Sequence, residues 1–295
     1  MVKENNQNAF AVIGLLFGAV VWGFIWYPYR LLNEAGISGV VSSLYTYAIA
    51  FAFGCVIFAN RFSLPFKLEK SVCLLAMAAG WTNLSYVLAI IDGQVMRVIL
   101  LFYLSPIWTI IFAHFWLKER TTLIAITVVA IALTGAIIML WQAKSLPIPQ
   151  STAEWLGLSS GIGFSLTNVL TRKFTHLTLA EKSFSVWIGV VFVSLIYLMS
   201  IDKNTADLIL SNEEVSYHEI GLLILVAMLL MAATVCVQYG VTKISAMSAS
   251  VLFMFELVVA AIASYFLANE VMEVQEWFGG TLIVFAAFLA SRKVN

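Results

Sequence analysis

The chain has 295 residues, 62% of them hydrophobic and 11% charged, with mean hydropathy +0.96 and a formal net charge of zero. A soluble domain is about 45–50% apolar and about 25% charged, so this composition has too little polar side chain to clothe a water-facing surface and predicts a chain solvated by lipid. With no Lys/Arg block or basic stripe, nucleic acid is excluded as a partner.

A spanning helix needs about 20 predominantly apolar residues, and in chain order ten segments qualify. The first, 9–29, follows MVKENNQN. It is too long for a signal-peptide core, lacks a small-x-small cleavage site and precedes many similar runs, so it reads as a retained membrane helix. The second and third are 38–59 and 71–91; the fourth, 98–117, contains Pro106; the fifth is 121–141. Then follow 154–171, 183–201, 218–241, 245–268 and 274–291. The links are short and polar. The longest, 202–219, is acidic with room for a short surface helix, and none houses a soluble domain. Residues 1–295 are therefore one membrane domain, all-α and integral. Cys55, Cys73 and Cys236, odd in number and in or beside apolar runs, read as inert buried thiols rather than a disulfide framework.

One alternate set of loops and termini carries twelve of the 16 Lys and Arg residues and the other four. Positive loops stay cytoplasmic, which predicts both termini in the cytoplasm of a multi-pass protein of the cell (plasma or inner) membrane.

A shift of 151 residues lays VMRVILLFYLSPIWTIIFAHFWLKE (95–119) on AMSASVLFMFELVVAAIASYFLANE (246–270). Phe102 then meets Phe253, Phe115 meets Phe266 and Glu119 meets Glu270. A slightly smaller shift lays GLLFG (Gly14–Gly18) on GLSSG (Gly157–Gly161), and Arg30 on Lys173. Repeats of five helices each, 9–141 and 153–293, enter the membrane from opposite sides because five is odd. Such inverted-topology repeats around a midplane site are how many secondary transporters are built.

The Trp22-Gly23-Phe24-Ile25-Trp26 run and LFYLSPIWTIIFAHFWLKER (101–120) resemble the EamA-type permeases of the drug/metabolite transporter superfamily. The resemblance covers nearly the whole chain and is almost silent on substrate. In that family the fourth and ninth helices each typically carry a Glu-Pro pair. Here the fourth keeps the proline in Ser105-Pro106 without the acid, and the ninth keeps the acid in Glu256-Leu257 without the proline. The pattern here therefore supplies one central carboxylate and not a symmetric pair. The resemblance also points to the first, third, fourth, sixth, eighth and ninth helices as cavity walls.

Glu256 is the only charge between Ile244 and Asn269. An acid at the centre of a span costs about 2.5–3.5 kcal/mol on insertion scales and almost always faces an interior cavity. One role is to carry a proton inward as substrate leaves, or to pair with a substrate ammonium. The other is structural: a protonated carboxyl bonded to a neighbouring helix. Pro106 removes a backbone donor and predicts a kink, in register with Glu256. Asn83 and Tyr86 share a helix face with Ala76, Ala79 and Gly80, and Asn168 extends the face of Gly157, Gly161 and Phe164. For both asparagines, interhelical bonding and substrate contact stand side by side. Trp22, Tyr103, Trp108 and Phe253, with Ser105, are candidate cavity residues for a flat or cationic solute. For Trp22 and Tyr103 a plain membrane-interface role is equally open, and Trp26, Tyr27 and Tyr29 read as that interface belt.

Other matches fail. GLSSG fits the G-x-S-x-G elbow but opens a membrane helix without a His/acid pair, so Gly14, Gly18, Gly157 and Gly161 read as helix-packing positions. His218-Glu219 is not followed by a second His at 222, and no P-loop is present. His114 reads as a hydrogen-bonded or snorkelling ring. No metal, cofactor or catalytic group is expected. The reading is a secondary active transporter, without enzyme activity, that moves a small organic metabolite by alternating access. Amino acids or amphipathic amines are favoured, with proton-coupled export and a monomeric state. A non-transporting sensor or scaffold, or an intramembrane enzyme, are the alternatives.

Overall fold

The computed structural model describes residues 2–58, 69–120, 122–140, 148–201, 216–268 and 271–292, with side chains from Gln7 onward in the first helix. These residues form ten helical segments and no strand. They are α1 (Val2–Glu34), α2 (Gly39–Ile57), α3 (Lys70–Asp92), α4 (Val95–Leu117), α5 (Leu123–Leu140), α6 (Thr152–Lys173), α7 (Leu179–Ser200), α8 (Tyr217–Lys243), α9 (Ala246–Leu267) and α10 (Val274–Arg292). The expected surface helix within 202–219 falls almost wholly outside the described residues, as do Glu270 and the end of the first repeat at residue 141.

Local chemistry sets the helix ends. Gly36, at φ +85, turns the chain between α1 and α2, a conformation that costs glycine nothing. Ser38 caps α2, accepting from the Val41 N–H. Capping boxes start α7 at Thr178/Glu181 and α8 at Ser216/Glu219, each satisfying two otherwise orphaned N–H groups.

Nine of the segments are long and apolar enough to cross a membrane; α6 is not among them. The packing explains the exception. α6 lies against α3, α4 and the ends of α8 and α9, so most of its serines, threonines and Asn168 are buried against protein rather than facing lipid. The lipid-facing surface is instead apolar, with Val56, Leu123, Phe115 and Met199 each more than two-thirds exposed. A water-soluble protein cannot sustain such a surface. Cys55 and Cys73 lie on this surface and Cys236 is half-buried; all three are free. This corrects the expectation of buried thiols. An apolar run in lipid turns part of its circumference outward, and these thiols fall there.

Helices of the two halves interleave. α1 packs on α8 and α9, while α3 packs on α6 and α7; α4 meets α6, and α5 meets α10. Close approach relies on missing side chains. At the α3–α7 crossing, a Cβ on Gly80 would collide with the Gly189 carbonyl, and one on Gly189 with the Ala76 carbonyl.

One end of α4 is tied to α6 by charge. Arg97 Nε donates to Glu154 Oε1 at 2.6 Å and Nη2 to Oε2 at 3.0 Å, and the Gln150 N–H donates to the same carboxylate at 2.7 Å. Bidentate geometry at a helix N-terminus strengthens such a pair. Glu154→Gln is expected to cost about 1–2 kcal/mol, read as a lower melting temperature of the purified protein in detergent.

Candidate functional site

α4 and α9 are both interrupted at matching positions. The first half of α4 runs Val95–Phe102 and the next piece Ser105–Phe112; α9 divides into Ala246–Phe253 and Phe255–Leu267. At each break the ladder tightens to i→i−3 bonds. Leu104 N–H donates to Leu101 O and Ile107 N–H to Leu104 O; likewise Met254 N–H donates to Val251 O and Leu257 N–H to Met254 O. Pro106 sits in the opening turn of its half-helix, where a missing N–H does no harm. The interruption falls at Tyr103–Leu104, in the turn just before the proline. The ring displaces the carbonyl four residues back, that of Phe102. α6 accommodates the displacement: a Cβ on Gly161 would stand 2.5 Å from Phe102 O, and Ser165 Oγ donates to Ser105 O at 2.7 Å. The break in α9 has no proline at all.

Glu256 stands in the first turn of the second half of α9. It lies deep in the bundle yet is only half-buried by its own accessible surface. The Tyr103 hydroxyl, itself buried, approaches the carboxyl without closing a hydrogen bond, and Tyr86 lies within its electrostatic reach. Acid and phenols thus come from three helices, α9, α4 and α3.

A continuous run of rings adjoins them. Trp22 of α1 contacts Phe253 at 5.5 Å and Phe164 at 5.9 Å between centroids, and Phe164 meets Phe253 at 5.1 Å. From Phe164 the run continues to Phe102 at 5.5 Å, then to Tyr86 at 5.1 Å and Tyr103 at 5.2 Å. Each such pair contributes about 0.5–1.5 kcal/mol beyond burial. Phe102 and Phe164 are not among the cavity residues expected from the sequence, although the internal repeat places Phe102 opposite Phe253. That symmetry was the available signal.

The remaining candidates divide. Asn83 lies on the Tyr86 face, next to Tyr47 of α2, with its Oδ1 buried and unpaired among the described residues. Ser105 and Asn168 are buried on α4 and α6. Trp108 makes none of the ring contacts above; its Nε1 is buried and lacks a partner among the described residues. Gly14 and Gly18 lie against Cys236 and Val237 of α8, and Gly157 against Val98 of α4. Tyr29 is corrected from the interface belt, whereas Trp26 stays half-exposed beside Tyr27. The Tyr29 hydroxyl and Thr46 Oγ1 of α2 share a hydrogen bond at 3.0 Å, and Trp26 Nε1 is buried. Trp22 and Tyr29, at i and i+7, share one helix face, and both pack against the buried core. No group of three metal-ligating side chains occurs among the described residues.

Interrupted helices that meet around an acid, inside a bundle with an apolar exterior, define a multi-pass helical membrane protein with an internal polar centre. The model of the EamA-like transporter family matches residues 9–141 and 151–292, and the chain belongs to that family. No curated protein matches. A solved crystal structure, described only as that of a protein, superposes with a TM-score of 0.76 over 96% of this chain and 98% of its own, at 15% identity. At that identity the likeness is one of fold.

Proposed function

We propose that this protein is a secondary active transporter that moves a small organic metabolite by alternating access, coupled to protons through Glu256. The observation that carries the reading is the position of Glu256: deep, partly accessible and flanked by phenols where two interrupted helices meet. Discontinuous helices at the midplane are the usual site of substrate and coupling-ion binding in such carriers. Ring faces beside a carboxyl favour a cationic or amphipathic solute, hence amino acids or amines.

The architecture belongs to the same reading: ten spans as two inverted five-helix repeats, 9–141 and 153–293, with both termini cytoplasmic in the cell membrane and a monomer as the working unit. The family match in two blocks supports this division. So do the paired packings of α1 with α8 and α9 and of α6 with α3 and α4.

The test is purified protein in liposomes under an imposed pH gradient, offered amino acids, amines, nucleosides and vitamins. A solute that accumulates only with both gradient and protein, identified by mass spectrometry, supports the proposal. Accumulation that ignores the gradient removes proton coupling.

A further inference from the structure

Between Glu256 and the end of the bundle where α4 and α6 finish, the interior is polar although it is shut. Thr109 of α4, Asn168 and Thr171 of α6, Thr234 and Gln238 of α8, and Ser250 of α9 are each 5% exposed or less. On each helix they continue a line, at i and i+4 or close to it, that runs to the same cluster of charge. Thr234 and Gln238 lead to Thr242, Asn168 leads to Arg172, and Ser250 leads back to Ala246. Some of these groups are satisfied within the protein, Thr171 by Gln238 and Thr234 by its own helix, yet their alignment from several helices along one line gives a polar path that water can follow when the helices part.

The cluster at the end joins five helices. Arg172 Nε of α6 donates to Glu119 Oε1, just beyond α4. The other Glu119 oxygen accepts from the Ala246 N–H, which opens α9, at 3.3 Å. Arg172 Nη1 donates to Thr242 O of α8 at 3.4 Å. Lys182 of α7, 1% exposed, donates from Nζ to Thr242 Oγ1 at 3.2 Å, and Thr171 Oγ1 donates to Gln238 Oε1 at 2.8 Å. A local distortion delivers Glu119 to this position. α4 ends in a π-turn, Ala113–Leu117, and Lys118 follows in the left-handed region at φ 55. A non-glycine residue there is strained, and such strain persists only where surrounding contacts hold it.

We propose that Glu119 and Arg172 form a latch that closes a passage from the Glu256 centre, with Thr171–Gln238 and Lys182–Thr242 as its supporting bonds. The passage leads toward the side that the Lys/Arg distribution assigns to the cytoplasm. The structure is then the state closed on that side. Opening parts α4 and α6 from α8 and α9, breaks the Glu119–Ala246 and Arg172–Thr242 bonds, and wets the polar stripes. The inference rests on the transport reading for its purpose, but its geometry is tested without substrate.

The test uses the full chain with Cys55, Cys73 and Cys236 replaced by Ala and a reporter, Ser250→Cys. A membrane-impermeant maleimide is added to oriented vesicles from the side where α4 ends. With the latch intact the reporter is protected. Glu119→Gln or Arg172→Gln is expected to raise the labelling rate about 10-fold or more, the scale of one charge-assisted hydrogen bond. Thr171→Val with Gln238→Leu keeps the packing shape and raises labelling in the same direction, so the proposal stays testable if a charge variant fails to fold. Unchanged labelling in the folded variants overturns the latch. Because labelling needs no solute, a protein that moves nothing offered still opens when the latch is cut. A protein that transports but shows no change in labelling loses only the latch.

Discussion

Glu256→Gln is expected to fold like the parent and to lose gradient-driven solute accumulation by about 100-fold, the scale on which a positioned proton-transferring side chain acts. Gln preserves the shape and hydrogen-bonding reach of the side chain beside Tyr103 but neither binds nor releases a proton. Packing around the second half of α9 is therefore expected to survive, with Gly23 still close to the Val259 side chain and the Glu256 carbonyl. The measurement is uptake into liposomes at several imposed pH gradients, with elution and melting of the same preparation as the folding control. Uptake that still follows the gradient in the variant removes Glu256 from coupling. A variant that folds poorly marks the carboxyl as interhelical glue.

The second large effect is on stability. Gly189→Ala is expected to destabilise the protein by about 3 kcal/mol, the upper range for overpacking a close contact. The added Cβ meets the Ala76 carbonyl on the facing helix. Backbone on both sides leaves no flexible side chain to yield, so α3 and α7 must separate. That movement disturbs the α3 helix that carries Asn83 and Tyr86. Thermal unfolding in detergent reads the loss directly, and an unchanged melting temperature shows that the crossing relaxes without cost. Gly221→Ala is the matched control. Nothing lies within 4 Å of a Cβ built there, and Ala favours a helix over Gly by about 1 kcal/mol, so its melting temperature should hold or rise.

Much of the candidate site was legible because membrane helices punish the unusual. A lone acid in the run from Ile244 to Asn269 and a proline within an apolar span stand out without any structure. The alignment of Phe102 with Phe253 also held the symmetry of the rings. The break at Met254 was hidden, since neither glycine nor proline marks it, and a tightened turn there depends on what packs around it. Glu119 and Arg172 lie 53 residues apart. Each reads singly as an ordinary loop charge, and nothing local pairs them. Thr109, Thr234 and Gln238 look like scattered polar residues until α4 and α8 turn them toward the interior.

By itself the sequence determined that the chain is a helical membrane protein with a repeated half and an acid at its centre. Composition, period and charge act locally, and lipid leaves the backbone few ways to satisfy its polar groups. The tertiary structure decided which polar faces meet. It left Cys55 and Cys73 on the lipid-facing surface and turned Tyr29 toward Thr46. It also packed α6, which is not apolar enough to stand in lipid alone, against α3 and α4. Those outcomes depend on the relative rotation of packed helices, and that rotation is set by contacts between residues far apart in the chain.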